Sequence, residues 1–406
     1  MINEKSRKPI LSGLRVLDLG LQYAAANCCS ILADLGAEVL QVEHPDGGPI
    51  RHMLPKKGAH SLWWKVVERG KKHITLNLST PRGREMLLEI AKDFDVLVEN
   101  FRPGTLEKWG LGPADLEKAG LNLAMVRISG FGQTGPYSPQ PGYGSAAEAM
   151  SGLAHLNGFP DGPPTFPSTS LADGVTSLWA VIGALASLYG SRRSAQGVEV
   201  VDVALFESLF RIIPTQIIAY QQTGVAPMRP GNYLGGRGTL RNTYHTRDGR
   251  WYIVAGTGDT IRKILVGAGA HELVDILDTG VLKGEDMGPI SAFIARCDQH
   301  MSTWSATLDY EQVAAALKAA DAVFAPVYSA AEIVEDPHYK AREQLVTLPD
   351  ADLGEVMMQG IVPKFPGRDH KISHPGRAKG WDNETFYASQ GISADELAAL
   401  KKDGIV

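Results

Sequence analysis

Short apolar runs alternate with amphipathic stretches over the first third of the chain. Residues 14–20 form an apolar run ending at Gly20, which predicts a strand. Residues 24–35 are rich in Ala, Leu and Ile and are closed by Gly36, which predicts a helix. Residues 37–43 return to a strand pattern. A strand, a helix of about 12 residues and a strand make a βαβ unit, with parallel strands and a right-handed crossover. The pattern then repeats. Residues 73–78, 95–100 and 123–129 read as strands, and 81–94 as a helix with Pro81 in its first turn. The expected architecture is a doubly wound, Rossmann-like α/β sheet.

The texture changes further along. Residues 133–167 are rich in Gly and Pro and read as loop, interrupted by a helix at 145–156. Residues 170–189 and 201–222 read as two long helices, and the Gly- and Arg-rich stretch 227–241 as a linker or mobile loop. A hairpin is expected around Arg247-Asp-Gly249, followed by helices to about residue 318. The tail contains Pro-interrupted strands and a helix at 394–402. The domain reading is a large domain over 1–224, a small domain over 225–330, and a return to the large domain over 331–406.

Composition narrows the class. The 406 residues are 44% apolar and 21% charged, ordinary for a globular enzyme. A net charge of −5 gives no general pull toward nucleic acid. Cys28, Cys29 and Cys297 form no C-x-x-C pair, which suits a reducing, cytoplasmic setting. The N-terminus lacks the apolar core of a signal peptide. The best apolar run, near 177–189, reads as too short for a bilayer, which takes about 20 residues. No membrane or nucleic-acid partner is expected.

Common catalytic motifs are absent: there is no P-loop, no H-E-x-x-H and no G-x-S-x-G. Gly142-Tyr-Gly-Ser-Ala-Ala147 matches the loose dinucleotide fingerprint but follows a Pro-rich loop, so it reads as a helix-start turn. His271 with Glu272, and His338 with His370, lack ligand spacing, and no metal is expected. Three features stand out. Glu99-Asn-Phe-Arg-Pro-Gly104 ends an apolar strand, where α/β sheets bind ligands, and it could hold an amide, a flat ring and a phosphate. Gly130, Gly132 and Gly135 let a ligand approach the backbone. Asp173 lies in the first turn of a mostly apolar helix, whose free N–H groups stabilise negative charge. On local pattern alone, Asp173 reads more readily as a capping carboxylate than as a catalyst.

Taken in order, several segments resemble the class III CoA-transferase family. They are Leu32-Ala-Asp-Leu-Gly-Ala37, Val42-Glu-His-Pro-Asp-Gly-Gly48, Leu76-Asn-Leu78 with Pro81-Arg-Gly-Arg84, Val98-Glu-Asn-Phe-Arg-Pro-Gly104, Gly110-Leu-Gly112, Ser129-Gly-Phe-Gly-Gln-Thr-Gly-Pro-Tyr137 and Ala172-Asp-Gly174. The resemblance implies a Rossmann-like large domain built from both chain ends, an inserted small domain, and an interlocked homodimer. It implies that Asp173 is the catalytic nucleophile, which reverses the capping reading. It places Asn100 and Phe101 at the adenosine side of coenzyme A, Leu76 at the adenine and Lys108 at the phosphates. Arg51 follows the Gly-Gly turn where the family often carries Arg. Tyr23 lies in the turn lining the pantetheine and thioester end, and Tyr143 stands at the site where racemases of the family carry His.

Departures sharpen the expectation. Ala25-Ala26 replaces the family's usual Gly-Pro, and Tyr23 replaces the Gln of some transferases. Tyr143 argues against the rival reading, a 2-methylacyl-CoA racemase, because a phenol with pKa about 10 is a poor base at neutral pH. Gly144 stands where some formyl-CoA transferases carry an acid. The activity implied is exchange of coenzyme A between an acyl-CoA and a small, dicarboxylic acid through aspartyl anhydride and thioester intermediates. Acyl-CoA is then a substrate, and no permanently bound cofactor is expected. Gly235-Gly-Arg-Gly238 is a candidate lid, with Arg237 as anchor for an acceptor carboxylate.

Overall fold

The structure, a computed structural model, describes residues 7–194, 197–233 and 238–406, with the side chains of 191–194 outside the description. The chain divides into two compact units. The larger comprises the chain up to Leu153, Phe166–Ile217 and His338–Val406, and the smaller comprises Ala154–Thr165 and Ile218–Pro337.

A six-stranded parallel sheet organises the larger unit. Its strands are β1 (Arg15–Asp18), β2 (Glu38–Glu43), β3 (Lys72–Thr75), β4 (Val96–Glu99), β5 (Leu123–Ser129) and β6 (Val198–Ala204). Their spatial order is β3-β2-β1-β4-β5-β6. The order reverses between β1 and β4, so the carboxyl ends of these two strands define the crevice where doubly wound sheets bind ligands. Helix α1 (Tyr23–Asp34) follows β1, and α2 (Pro81–Ala91) follows β3 with Thr80 as N-cap. Strand side chains alternate between two cores, as the pleat requires. Leu17, Leu97 and Met125 face a core with α2 and the C-terminal helix Ala394–Lys402. Val16, Val96, Val98 and Val126 face a second core with α1 and the long helix α4 (Leu171–Ser194), which follows the short helix α3 (Gly144–Met150).

The returning chain end seals the sheet at β3. Asn383 accepts from the Thr75 N–H at 2.9 Å, and the Tyr387 hydroxyl donates to Thr75 O at 2.7 Å. Asp382 accepts from the His73 N–H at 2.8 Å. These side chains satisfy backbone groups that an open edge would expose.

Two sequence expectations need correction. Residues 201–222 are not one helix, because β6 occupies Val198–Ala204 before helix Leu205–Arg211 begins. The run Val198-Glu-Val-Val-Asp-Val-Ala204 carries four valines in seven residues, which favours extended backbone, and pairs in register with β5. The apolar stretch of α4 is also longer than read: Leu171–Gly190 is long and apolar enough to cross a bilayer by length and composition. Ala172, Ala180, Val181 and Ala184 of this helix are nevertheless buried in the core.

The smaller unit has a three-stranded antiparallel sheet built on the expected hairpin, β7 (Thr239–His245) and β8 (Trp251–Thr257), with β9 (Phe324–Pro326) beside β8. Tyr244, Tyr252, Val254, Ile264, Phe293 and Val313 fill its core.

Under the carboxyl end of β1 lies a buried charge cluster. The Lys71 ammonium donates to Asp18 Oδ2 at 2.8 Å and to Ala26 O at 2.9 Å. It also lies 2.8 Å from Glu68 Oε2, a Coulomb contact outside hydrogen-bonding angles. All three side chains are essentially fully buried. Burial lifts the Glu68 carboxyl to about 8, against the pull of the Lys71 charge. Lys71→Met would leave the buried Asp18 carboxylate without its countercharge, a loss of about 3–5 kcal/mol. Urea denaturation at pH 7 is expected to show that loss.

Candidate active site

A cavity of about 320 Å³ opens at the strand-order reversal. Leu21 and Gln22 line it from the turn after β1, and Asn100, Phe101 and Arg102 from the turn after β4. Gln140, Tyr143 and Asp173 line it as well, with Thr105 and Ser129. The turns are joined across the reversal: the Leu21 N–H donates to Asn100 Oδ1 at 2.8 Å. Glu99 holds the second turn from beneath, accepting the Phe101 N–H at 2.7 Å and the Arg127 Nε–H at 2.8 Å. Burial raises the Glu99 carboxyl to about 7, against the pull of Arg127. The Phe101 ring meets Trp109 edge-on at 5.2 Å.

Asp173 lies in the first turn of α4, half-buried. Burial lifts its carboxyl to about 6; its own backbone N–H pulls it down, and the charge of Glu148 adds to the rise. The Ser177 hydroxyl is shared between the carbonyls of Asp173 and Ala24, 2.8 Å from each, tying the start of α4 to the start of α1. Tyr23 stands beside this turn: a Cβ on Gly174 would lie 3.7 Å from its hydroxyl. Burial and the nearby Asp173 charge raise the Tyr23 phenol. A carboxylate so placed can attack an acyl carbon presented in the cavity.

The structure thus brings together Asp173, Tyr143, Asn100 and Phe101, with Tyr23 adjacent. It does not bring three other residues to the cavity. Leu76 is 1% exposed and packs inside the core against α2, so its side chain presents no surface. Arg51 is paired with Glu43 through Nε and Nη2, and its guanidinium lies over the Trp64 ring at 3.5 Å. It faces a separate cavity with His52, Trp64 and Arg377. Lys108 is exposed on the short helix Thr105–Lys108, outside the cavity lining.

The Gly-rich connector is less open than its sequence suggests. The Gly132 N–H donates to Ser129 Oγ and the Gln133 N–H to Asp202, each at 2.9 Å. A Cβ on Gly130 would lie 2.6 Å from Gly142 Cα, so those two glycines serve a backbone-to-backbone approach. The Gly142 fingerprint is a helix start, with Tyr143 as N-cap of α3. Gly235, Gly236 and Arg237, the core of the candidate lid, lie outside the described residues. Sequence reading missed Glu148, which accepts the Ala172 N–H at 3.3 Å. Its signal was a single acid within the small-residue stretch 144–150. Among the described residues, no cluster of His, Cys, Asp and Glu is suited to a metal ion.

Fold and site define a doubly wound α/β protein with a half-buried carboxylate set over its ligand crevice. The chain belongs to CoA-transferase family III, whose family model matches residues 11–383. It is 36% identical over 412 aligned residues to a succinyl-CoA–D-citramalate CoA-transferase of Chloroflexus aurantiacus, covering 100% of both chains. It is 28% identical to a formyl-CoA:oxalate CoA-transferase of Streptomyces coelicolor, covering 98% of this chain and 99% of that protein. Among solved structures it matches a CAIB/BAIF family protein from Brucella suis with TM-score 0.79 and 26% identity, covering 94% of this chain and 100% of that one.

The raised pKa of Asp173 carries a stability consequence. An unfolded Asp ionises near 3.9, so ionising Asp173 in the folded state is unfavourable, and its contribution falls as pH rises from about 4 through 6. Asp173→Asn removes that term. It is expected to raise stability by up to about 3 kcal/mol at pH 8 and to lose the gain below about pH 4, read by thermal melts.

Proposed function

We propose that the chain moves coenzyme A between a dicarboxylic acyl-CoA and a small carboxylic acid, with Asp173 as nucleophile. One observation carries this reading: the Asp173 carboxylate shares the switch-point cavity with Asn100 and Phe101. The names of relatives support the substrate class, since they act on citramalate, malate, oxalate or mesaconate. Tyr143 is 68% exposed, a poor setting for the second base of a racemase.

Each half of the reaction balances without an external energy source. The Asp173 carboxylate attacks the thioester carbonyl, the C–S bond breaks and CoA thiolate leaves, giving a mixed anhydride. The thiolate then attacks the aspartyl carbonyl and expels the donor acid, leaving an aspartyl–CoA thioester. The acceptor carboxylate repeats these steps in reverse and restores Asp173. In this reading Asn100 and Phe101 hold the adenosine side of coenzyme A. Arg102 at the mouth and exposed Lys108 beyond it meet the phosphates, and Tyr23 and Tyr143 flank the thioester end.

We further propose a homodimer in the cytosol. Leu178, Ile182 and Tyr189 of α4 are each more than half exposed, an apolar face that a second copy would cover. Cys28, Cys29 and Cys297 are buried free thiols, as a reducing compartment allows.

Incubation with an acyl-CoA, followed by hydroxylamine or borohydride, is expected to leave a mass change at Asp173. Activity should fall on acidification with a midpoint near 6, because the ionised form attacks. Asp173→Asn with full turnover and no adduct in the wild type would sink the mechanism. For the assembly, light scattering should give twice the chain mass of 43.7 kDa.

A further inference from the structure

Two residues one helical turn apart on α3, Gly144 and Glu148, face the start of α4. A Cβ on Gly144 would lie 2.4 Å from Asp173 Oδ2 and 3.5 Å from its Cγ. The next neighbour is the Ala172 Cβ, at 3.7 Å. Gly144 lies outside the left-handed region, so its backbone would accept any residue. What excludes a side chain here is the carboxylate of Asp173 itself, resting on bare backbone. The Gly130–Gly142 pair differs, because there main chain meets main chain.

Glu148, on the same face of α3, acts on the same turn. Its side chain is 3% exposed, and Oε1 accepts the N–H of Ala172, the residue before Asp173. Helix starts leave such N–H groups without intrahelical partners. Here a neighbouring helix supplies one, which holds the Ala172 peptide in place. Ser177 pins the same turn from inside α4.

We infer that Gly144 and Glu148 form a positioning face for Asp173: Glu148 holds the peptide that carries it, and Gly144 sets where its carboxylate rests. The inference rests on Asp173 being the nucleophile. Attack on a thioester carbonyl needs a defined approach, and misplacement by about 1 Å can cost about 10²-fold in rate. An acid or a methyl at position 144 would turn the carboxylate away from its present rest.

Gly144→Ala tests this directly, since the clashing atom is the end of a side chain that can rotate. The melting temperature should stay within about 2 °C of wild type, the KM for acyl-CoA within about twofold, and kcat should fall by about tenfold or more. The rate of adduct formation at Asp173 should fall by the same factor. Glu148→Gln keeps an oxygen for the Ala172 N–H, whereas Glu148→Leu does not. At pH 8 the Gln variant should therefore exceed the Leu variant by about tenfold in kcat. Wild-type kcat in Gly144→Ala, a loss there that tracks a large fall in melting temperature, or equal kcat in the two Glu148 variants would overturn the inference. Asp173→Ala, assayed alongside, separates the two ideas. Turnover in that variant removes the nucleophile and the positioning face together. Loss of turnover, with Gly144→Ala fully active, removes the positioning face alone.

Discussion

Everything at the crevice depends on how one buried ammonium is shared. Lys71 binds Asp18 at the end of β1 and the Ala26 carbonyl in the first turns of α1. The other Asp18 oxygen accepts the Gly20 N–H at 2.8 Å. The turn between strand and helix is therefore held at both ends by the same ion pair. From that turn the Leu21 N–H reaches Asn100, and Tyr23 stands beside Asp173. A buried pair of this kind adds little net stability over an apolar replacement, but removing one partner is severe. Its return here is geometry: a turn that lines the cavity with Leu21 and Gln22 is fixed without filling the crevice.

The same economy governs Asp173. Placing a carboxylate at a helix start favours its charge, while half-burying it beside Glu148 works in the opposite direction. The balance leaves a group that is mostly ionised at neutral pH yet more basic than a surface aspartate. The folded chain is accordingly less stable at neutral pH than it would be with a neutral side chain at this position.

Much of the fold was legible because the parallel strands are short, apolar and separated by well-marked helices. The strand at Leu123–Ser129 and the tail helix Ala394–Lys402 coincide with their expected bounds. Strand β6 was not legible in the same way, because its valines run into the helical pattern of 205–211 with no Gly or Pro between them. At the site, local pattern identified the turn at Asn100 and Phe101 but ranked Asp173 as a cap. Ordered family segments were needed to raise it. Arg51 and Leu76 read as ligand contacts, but their side chains lie outside the crevice cavity: one is matched to Glu43 and Trp64, the other belongs to the core. Glu148 was invisible since its meaning depends on Ala172, 24 residues away and on another helix.

The seal on β3 has a further consequence, for the order in which the molecule forms. Thr75 waits for Asn383 and Tyr387, more than 300 positions downstream. During synthesis the sheet must therefore stand with one side unprotected until the last segment emerges, whereas the smaller unit draws its sheet from one continuous stretch of chain. Contacts of such separation are formed late and slowly, and an exposed strand edge is a template for wrong pairing. The nascent chain is thus most vulnerable to self-association in the interval before its final helices arrive.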